Sequence, residues 1–192
     1  MAIRQSAWTG MVPVDDTALY VRDTGGRGRP VVYLNGAYAD QSHWRRVIAD
    51  LGGDYRHITY DERARGRSKR SVDYSFAACL RDLDAVLKAR GVDQPLLVGW
   101  SLGNEIAAAS VPVLDRVTCP VWFVLATGDS LGTKDGEMEQ GRATLDPVLA
   151  RNPNLKVSAK VASNHTKILR RDSPAVAQTV RVLAASLGHG VG

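Results

Sequence analysis

Four apolar residues, Pro95-Leu96-Leu97-Val98, run straight into Gly99-Trp100-Ser101-Leu102-Gly103, and an alanine-rich stretch follows to Ser110. A short continuous apolar run reads as a strand buried on both faces, and Leu102–Ser110 reads as a helix. Nothing separates the two but the serine turn, so the chain must reverse sharply at Ser101. Glycines two residues to either side leave room for neighbouring elements to approach. A turn of this kind strains the serine backbone and lifts its hydroxyl clear of the sheet. It also sets that hydroxyl at a helix N-terminus, where the dipole favours developing negative charge.

The rest of the chain repeats the alternation. Met11–Val14 and Ala18–Arg22 read as a hairpin joined at Asp15-Asp16. Strands are expected at Val31–Leu34, Tyr55–Tyr60, Val121–Leu125 and Leu155–Val161. Helices are expected at Asp40–Leu51, Phe76–Arg90, Met138–Ala150 and Pro174–Leu187. The clearest of them puts Phe76, Cys79, Leu80, Leu83, Val86 and Leu87 in one apolar stripe. The fold class that follows is α/β, a mostly parallel sheet with helices on both faces. We expect one domain over 1–192, with flexible ends at 1–10 and 188–192. Ligands of such sheets bind beyond the carboxyl ends of the strands.

Composition narrows the function classes. At 192 residues, 44% hydrophobic and 23% charged, the chain can bury a core without a disulfide or metal staple. Cys79 and Cys119 have no paired-ligand spacing and read as two buried thiols, with no metal site. The net charge of +5 is concentrated at Arg63, Arg65, Arg67, Lys69 and Arg70, a solvated basic turn without interleaved aromatics. No nucleic-acid partner is expected from it. No run of about 18 apolar residues and no signal-like start are visible, so no membrane span and a cytoplasmic location are expected.

A nucleophilic serine needs a base and an acid that orients the base. Asp129 lies just past the strand at Val121–Leu125, and His165 just past Leu155–Val161, on the strand ends that also carry Ser101. A backbone-bonded loop histidine and a turn aspartate are the plain alternatives, and Asp135 is the fallback acid. His43, His57 and His189 fall in a helix, within a strand and in the tail.

Together these motifs resemble the α/β-hydrolase superfamily. Tyr33-Leu34-Asn35-Gly36-Ala37 takes the place of that family's His-Gly oxyanion loop. Asp61 through Ser68 resembles its Asp-x-Arg-Gly-x-Gly-x-Ser turn, Pro120–Asp129 its acid-bearing strand, and Asn164-His165 its histidine segment. The resemblance implies a cofactor-free hydrolase of carboxylic-ester type, acting on a small ester-like substrate. It implies the triad Ser101, Asp129 and His165, with an oxyanion hole from the Ala37 and Leu102 N–H groups. Tyr38 and Trp100 flank those donors as candidate pocket walls.

Two departures stand out. Asn35 replaces the family's usual histidine, so the oxyanion loop must be supported differently. Only Asn104–Thr118 separates the serine turn from Cys119, too few residues for both a sixth core strand and a cap. The chain therefore reads as a shortened, lid-less hydrolase, with Val121–Leu125 expected to pair directly beside Pro95–Val98. A strand-mediated dimer would be another way to cover an open edge. A catalytically impaired scaffold that binds a small ligand or partner is the alternative function.

Overall fold

The opening hairpin forms around its two aspartates. Strands β1 (Trp8–Val14) and β2 (Thr17–Asp23) pair antiparallel, from Trp8 opposite Asp23 to Val14 opposite Thr17, with Asp15 at φ 48° in the turn. The strand β1 begins inside the stretch expected to be a loose end. Trp8 is held there by its ladder and by the Arg90 guanidinium 4.5 Å above its ring. The computed structural model describes residues 6–101, 119–128 and 146–188. The chain divides into two units, residues 1–110 and 111–192.

In the first unit β3 (Arg29–Leu34), β4 (Tyr55–Tyr60) and β5 (Leu96–Gly99) complete a five-stranded sheet of order β1-β2-β4-β3-β5. The β3–β4 and β3–β5 pairs are parallel, whereas β2 meets β4 antiparallel. Val31-Val32-Tyr33-Leu34 is fully buried, as a strand covered on both faces requires. Its alternate residues separate two cores. Val32 and Leu34 join Ile58, Tyr60, Leu83 and Val86 beneath helix α2 (Phe76–Ala89). On the other face the Tyr33 ring lies 5.0 Å from the fully buried Trp44. His57 sits on that face too, its Nδ1 2.8 Å from the Tyr33 hydroxyl and its Nε2 2.8 Å from the Gly52 carbonyl.

The helix expected over Asp40–Leu51 is divided. Residues Gln41–Trp44 form a 3₁₀ turn, and α1 runs from Arg45 to Leu51. The Asp40 carboxylate accepts the Ser42 N–H at 2.8 Å and so fixes a tight first turn. At the far end of the sheet Asp23 accepts Arg56 through two nitrogens, at 3.0 and 2.6 Å, and Arg90 at 2.9 Å. Burial alone would push the Asp23 carboxyl up, but these arginines and the Gly25 N–H hold it below its ordinary value.

The second unit contains β6 (Val121–Gly128), α3 (Asp146–Arg151), β7 (Leu155–Asn164), α4 (Ile168–Arg171) and α5 (Ser173–Gly188). Strands β6 and β7 pair in parallel as a separate two-stranded sheet. The ladder expected between Val121–Leu125 and Pro95–Val98 would join the two units and stays an expectation. Two register shifts in the β6–β7 ladder, at Phe123/Val124 and Ala126/Gly128, carry β6 three residues past its expected end. Three of the five described ladders are parallel, in keeping with the α/β class. Cys79 is half-buried and Cys119 exposed, so the expectation of two buried thiols fails. Cys119 sits at an exposed position just ahead of β6. The helices expected at Leu102–Ser110 and over most of Met138–Ala150, and the proposed missing strand and cap, fall outside the described residues.

Candidate active site

Strand order changes direction at β3, which has β4 on one side and β5 on the other. Such a switch point opens a crevice at the carboxyl ends of the strands. Leu34 and Gly99 are paired as the last residues of β3 and β5. The Trp100 N–H then donates to the Leu34 carbonyl at 3.1 Å, which brings the loops after the two strands side by side. Ser101 follows with φ 57°, the left-handed backbone that the strand–serine turn–helix pattern requires. Against it lies Gly36. A Cβ on Gly36 would stand 2.9 Å from the Trp100 ring, closer than side chains tolerate, and a tight 3.1 Å from the Ser101 Cβ. Glycine at 36 is therefore what lets the two loops meet.

The loop after β3 is held from below by its first residue. Asn35 is 1% exposed and uses both side-chain polar atoms and its backbone N–H. Its Nδ2 donates to the Tyr60 carbonyl at 2.8 Å and to Glu62 Oε2 at 2.9 Å. Its backbone N–H donates to Glu62 Oε1 at 3.2 Å, while its Oδ1 accepts the Trp44 indole N–H at 2.7 Å. Glu62, just beyond β4, is thus gripped by one residue at both carboxylate oxygens. Burial pushes its carboxyl up to about 7, more than the Asn35 hydrogen bonds pull it down.

Above that base Gly36–Ala39 forms a turn closed by the Ala39 N–H on the Gly36 carbonyl at 3.1 Å. Ala37 occupies its exposed tip, and among the described residues no hydrogen bond uses its N–H. Tyr38 has φ 63° and is 87% exposed, with the Arg65 guanidinium 4.9 Å from its ring centre. Trp100 is half-buried and stacks on His43 at 5.8 Å between ring centres.

The turn after β4 frames the same end of the sheet. Asp61 accepts the Gln41 N–H at 3.0 Å and the Arg67 N–H at 2.9 Å. Gly66, at φ 44°, passes so close that a Cβ there would fall on the Asp61 carboxylate. Arg63 is buried and bonded through Nε and Nη2 to Asp82 at 2.8–2.9 Å, and through Nη2 to Asp15 at 2.7 Å. Those hydrogen bonds hold its guanidinium protonated well above the ordinary value. The basic residues noticed in the sequence are thus of two kinds. Arg63 is a buried strut, and its neighbours are surface groups.

Of the residues read from sequence as a site, the structure brings Ser101, Trp100, Ala37 and Tyr38 to one sheet end. Leu102 and Asp129 lie outside the described residues, as does Asp135; β6 ends at Gly128, immediately before Asp129. His165 follows β7 directly and is half-exposed. Its turn is set by Asn164, whose carbonyl and Oδ1 accept the Lys167 N–H at 3.0 and 3.1 Å. Sequence reasoning missed Glu62, Trp44 and His43. Only the unusual Asn35 hinted that the loop would need other support.

Residues 29–112 match the family described as alpha/beta hydrolase fold. An Escherichia coli protein assigned as a carbamate hydrolase is 33% identical over 96 residues, 45% of this chain and 36% of its own length. The chain's match spans about a third of the length of the curated relatives it resembles. Among solved structures, a Thermoplasma acidophilum protein described as a CIB-like hydrolase superposes with a TM-score of 0.74 at 15% identity, over 93% of this chain and 98% of that one. A Burkholderia cenocepacia protein assigned as an aryl esterase gives 0.72 at 17% identity, over 94% and 100%. With the strained serine turn, the glycine contact and the mixed sheet behind them, these likenesses show the alpha/beta hydrolase fold.

Proposed function

We propose that the protein is a serine hydrolase that cleaves an ester-like carbonyl through an acyl-enzyme on Ser101. The observation that carries this reading is Ser101 at φ 57° beyond β5, with the Gly36-Ala37 turn packed against it. Ser101 Oγ attacks the carbonyl carbon and His165 takes its proton. The C–O bond to the leaving group then breaks as His165 returns the proton to the departing oxygen. Water hydrolyses the acyl-enzyme by the same route. Asp129 holds the imidazole tautomer, and the Ala37 and Leu102 N–H groups receive the oxyanion. Each such donor contributes roughly 3–4 kcal/mol of transition-state stabilisation in comparable sites. Similar proteins assigned to esters and carbamates support a carbonyl bonded to a heteroatom as the substrate class.

Labelling with a serine-directed fluorophosphonate, alongside hydrolysis of a small activated ester, tests the reading. Stoichiometric labelling and turnover, both lost in Ser101→Ala with unchanged circular dichroism, are expected. An Ser101→Ala variant that keeps full esterase activity removes the nucleophile assignment. A wild-type chain that neither labels nor turns over leaves the ligand-binding scaffold.

A further inference from the structure

We infer that Glu62 is a positioning residue for the oxyanion loop, its carboxylate setting the place of the Ala37 N–H by gripping both donors of Asn35. The inference rests on the proposed hydrolase reading for its catalytic meaning, and on geometry for its structural one. Asn35 is the last fixed point before the turn. Gly36 follows it against Ser101, and Ala37 follows Gly36. Whatever moves Asn35 moves the donor. The groups touching Glu62 Oε1 and Oε2 from this loop, the Asn35 N–H and Nδ2, are both donors.

Two donors facing two oxygens match a carboxylate and mismatch a carboxylic acid. A protonated Glu62 would turn an O–H toward one of the Asn35 donors, and that contact would open. The Asn35 amide reaches a carboxylate that lies just past β4, 27 residues away in the chain.

Glu62 changes charge near neutrality, since its carboxyl is pushed up to about 7. The ionisable groups around it are accounted for. Asp61 lies beside it and raises it further. Tyr60 on β4 and Cys79 on α2 feel its charge, and burial keeps both protonated through the neutral range. Asp82 on α2 is locked to Arg63. Among these groups Glu62 is the one whose carboxyl stands near 7.

Nitrogen-15 spectra of the whole chain against pH provide a readout independent of turnover. The Asn35 backbone and side-chain amides and the Ala37 amide are expected to shift together with a midpoint near 7, and to stay flat in Glu62→Gln. Signals that do not move in the wild type, or that move unchanged in Glu62→Gln, overturn the proposal. So does an Ala37 amide that ignores a titrating Asn35. In the active enzyme, Glu62→Gln is expected to lower kcat at least tenfold with KM for a small ester unchanged. The acid limb of the rate profile should also lose the proton that belongs to Glu62. An unchanged kcat and an unchanged limb overturn it as well. If the wild type hydrolyses nothing, the hydrolase reading fails alone, and the amide titration still decides the role of Glu62.

Discussion

The loop after β3 and the turn after β4 lie at the same end of one sheet, yet they are fastened by opposite kinds of chemistry. The β4 turn is fastened by fixed charge, with Arg63 buried between Asp82 and Asp15, and Ser71 as a further partner. The β3 loop hangs from a neutral amide, Asn35, between an indole and a carboxyl that gains or loses its proton near neutrality. A charged strut is insensitive to pH over the working range but intolerant of losing a partner. An amide hub tolerates more but follows the protonation of its neighbour. The turn farther from Ser101 is built the first way, and the loop packed against Ser101 the second.

The largest break in that comparison is Asp82→Ala. Removing one partner leaves the Arg63 charge buried and uncompensated, and a loss of about 3–5 kcal/mol is expected in urea unfolding. A loss below 1 kcal/mol would mean that Asp15 and Asp16 alone suffice.

Next in size is the pH dependence of stability. The Glu62 carboxyl is raised on folding, so the native state holds its proton more tightly than the unfolded chain. Its contribution is complete below the unfolded value of about 4.3 and is lost as pH rises toward about 7, with a slope of at most about 1.4 kcal/mol per pH unit. Asp15, Asp16, Asp23 and Asp73 are all lowered and act the other way, adding stability that disappears as pH falls below about 4. His57, lowered by burial, adds stability as pH rises through its ordinary value, and Asp82, raised by burial, loses it. The Glu62 share is therefore the difference between wild type and Glu62→Gln in urea unfolding, a decline from about pH 4–5 toward 7 that the variant lacks. A decline of the same depth in that variant would assign it to another group.

Smaller again is Trp44→Phe, which keeps the ring beside Tyr33 but leaves Asn35 Oδ1 buried without a donor. A cost of about 1–3 kcal/mol is expected, with a larger fractional fall in esterase rate than Tyr33→Phe produces. Equal falls would deny the hub its special role.

The smallest effect sharpens the other side. Ala64 sits at φ 56° where the resembling motif carries glycine. Ala64→Gly should stabilise the β4 turn by about 1 kcal/mol, and no gain would show that the turn already absorbs the strain.

What could be read from the sequence was whatever is local. The run Val31–Leu34 is as buried as its composition demands, and the stripe on α2 faces the core from Cys79 to Leu87 while its first member, Phe76, is exposed. The serine turn adopts the backbone its glycines foretold. The grip of Glu62 on Asn35 was out of reach, because it depends on β3 and β4 lying in register, with Tyr33 opposite Thr59, across 27 residues of chain. The choice of β7 as the partner of β6 was hidden for the same reason. The 3₁₀ start before α1 turned on one hydrogen bond from Asp40, which apolar spacing does not report.

His57 has a spectroscopic consequence. The Gly52 carbonyl can only accept, so Nε2 carries the proton and Nδ1 receives the Tyr33 hydroxyl. Burial lowers the pKa of this ring, which fixes one neutral tautomer across the neutral range. In a histidine proton spectrum His57 therefore serves as an internal reference whose signals stay still, against which the titration of any catalytic imidazole is assigned by its motion.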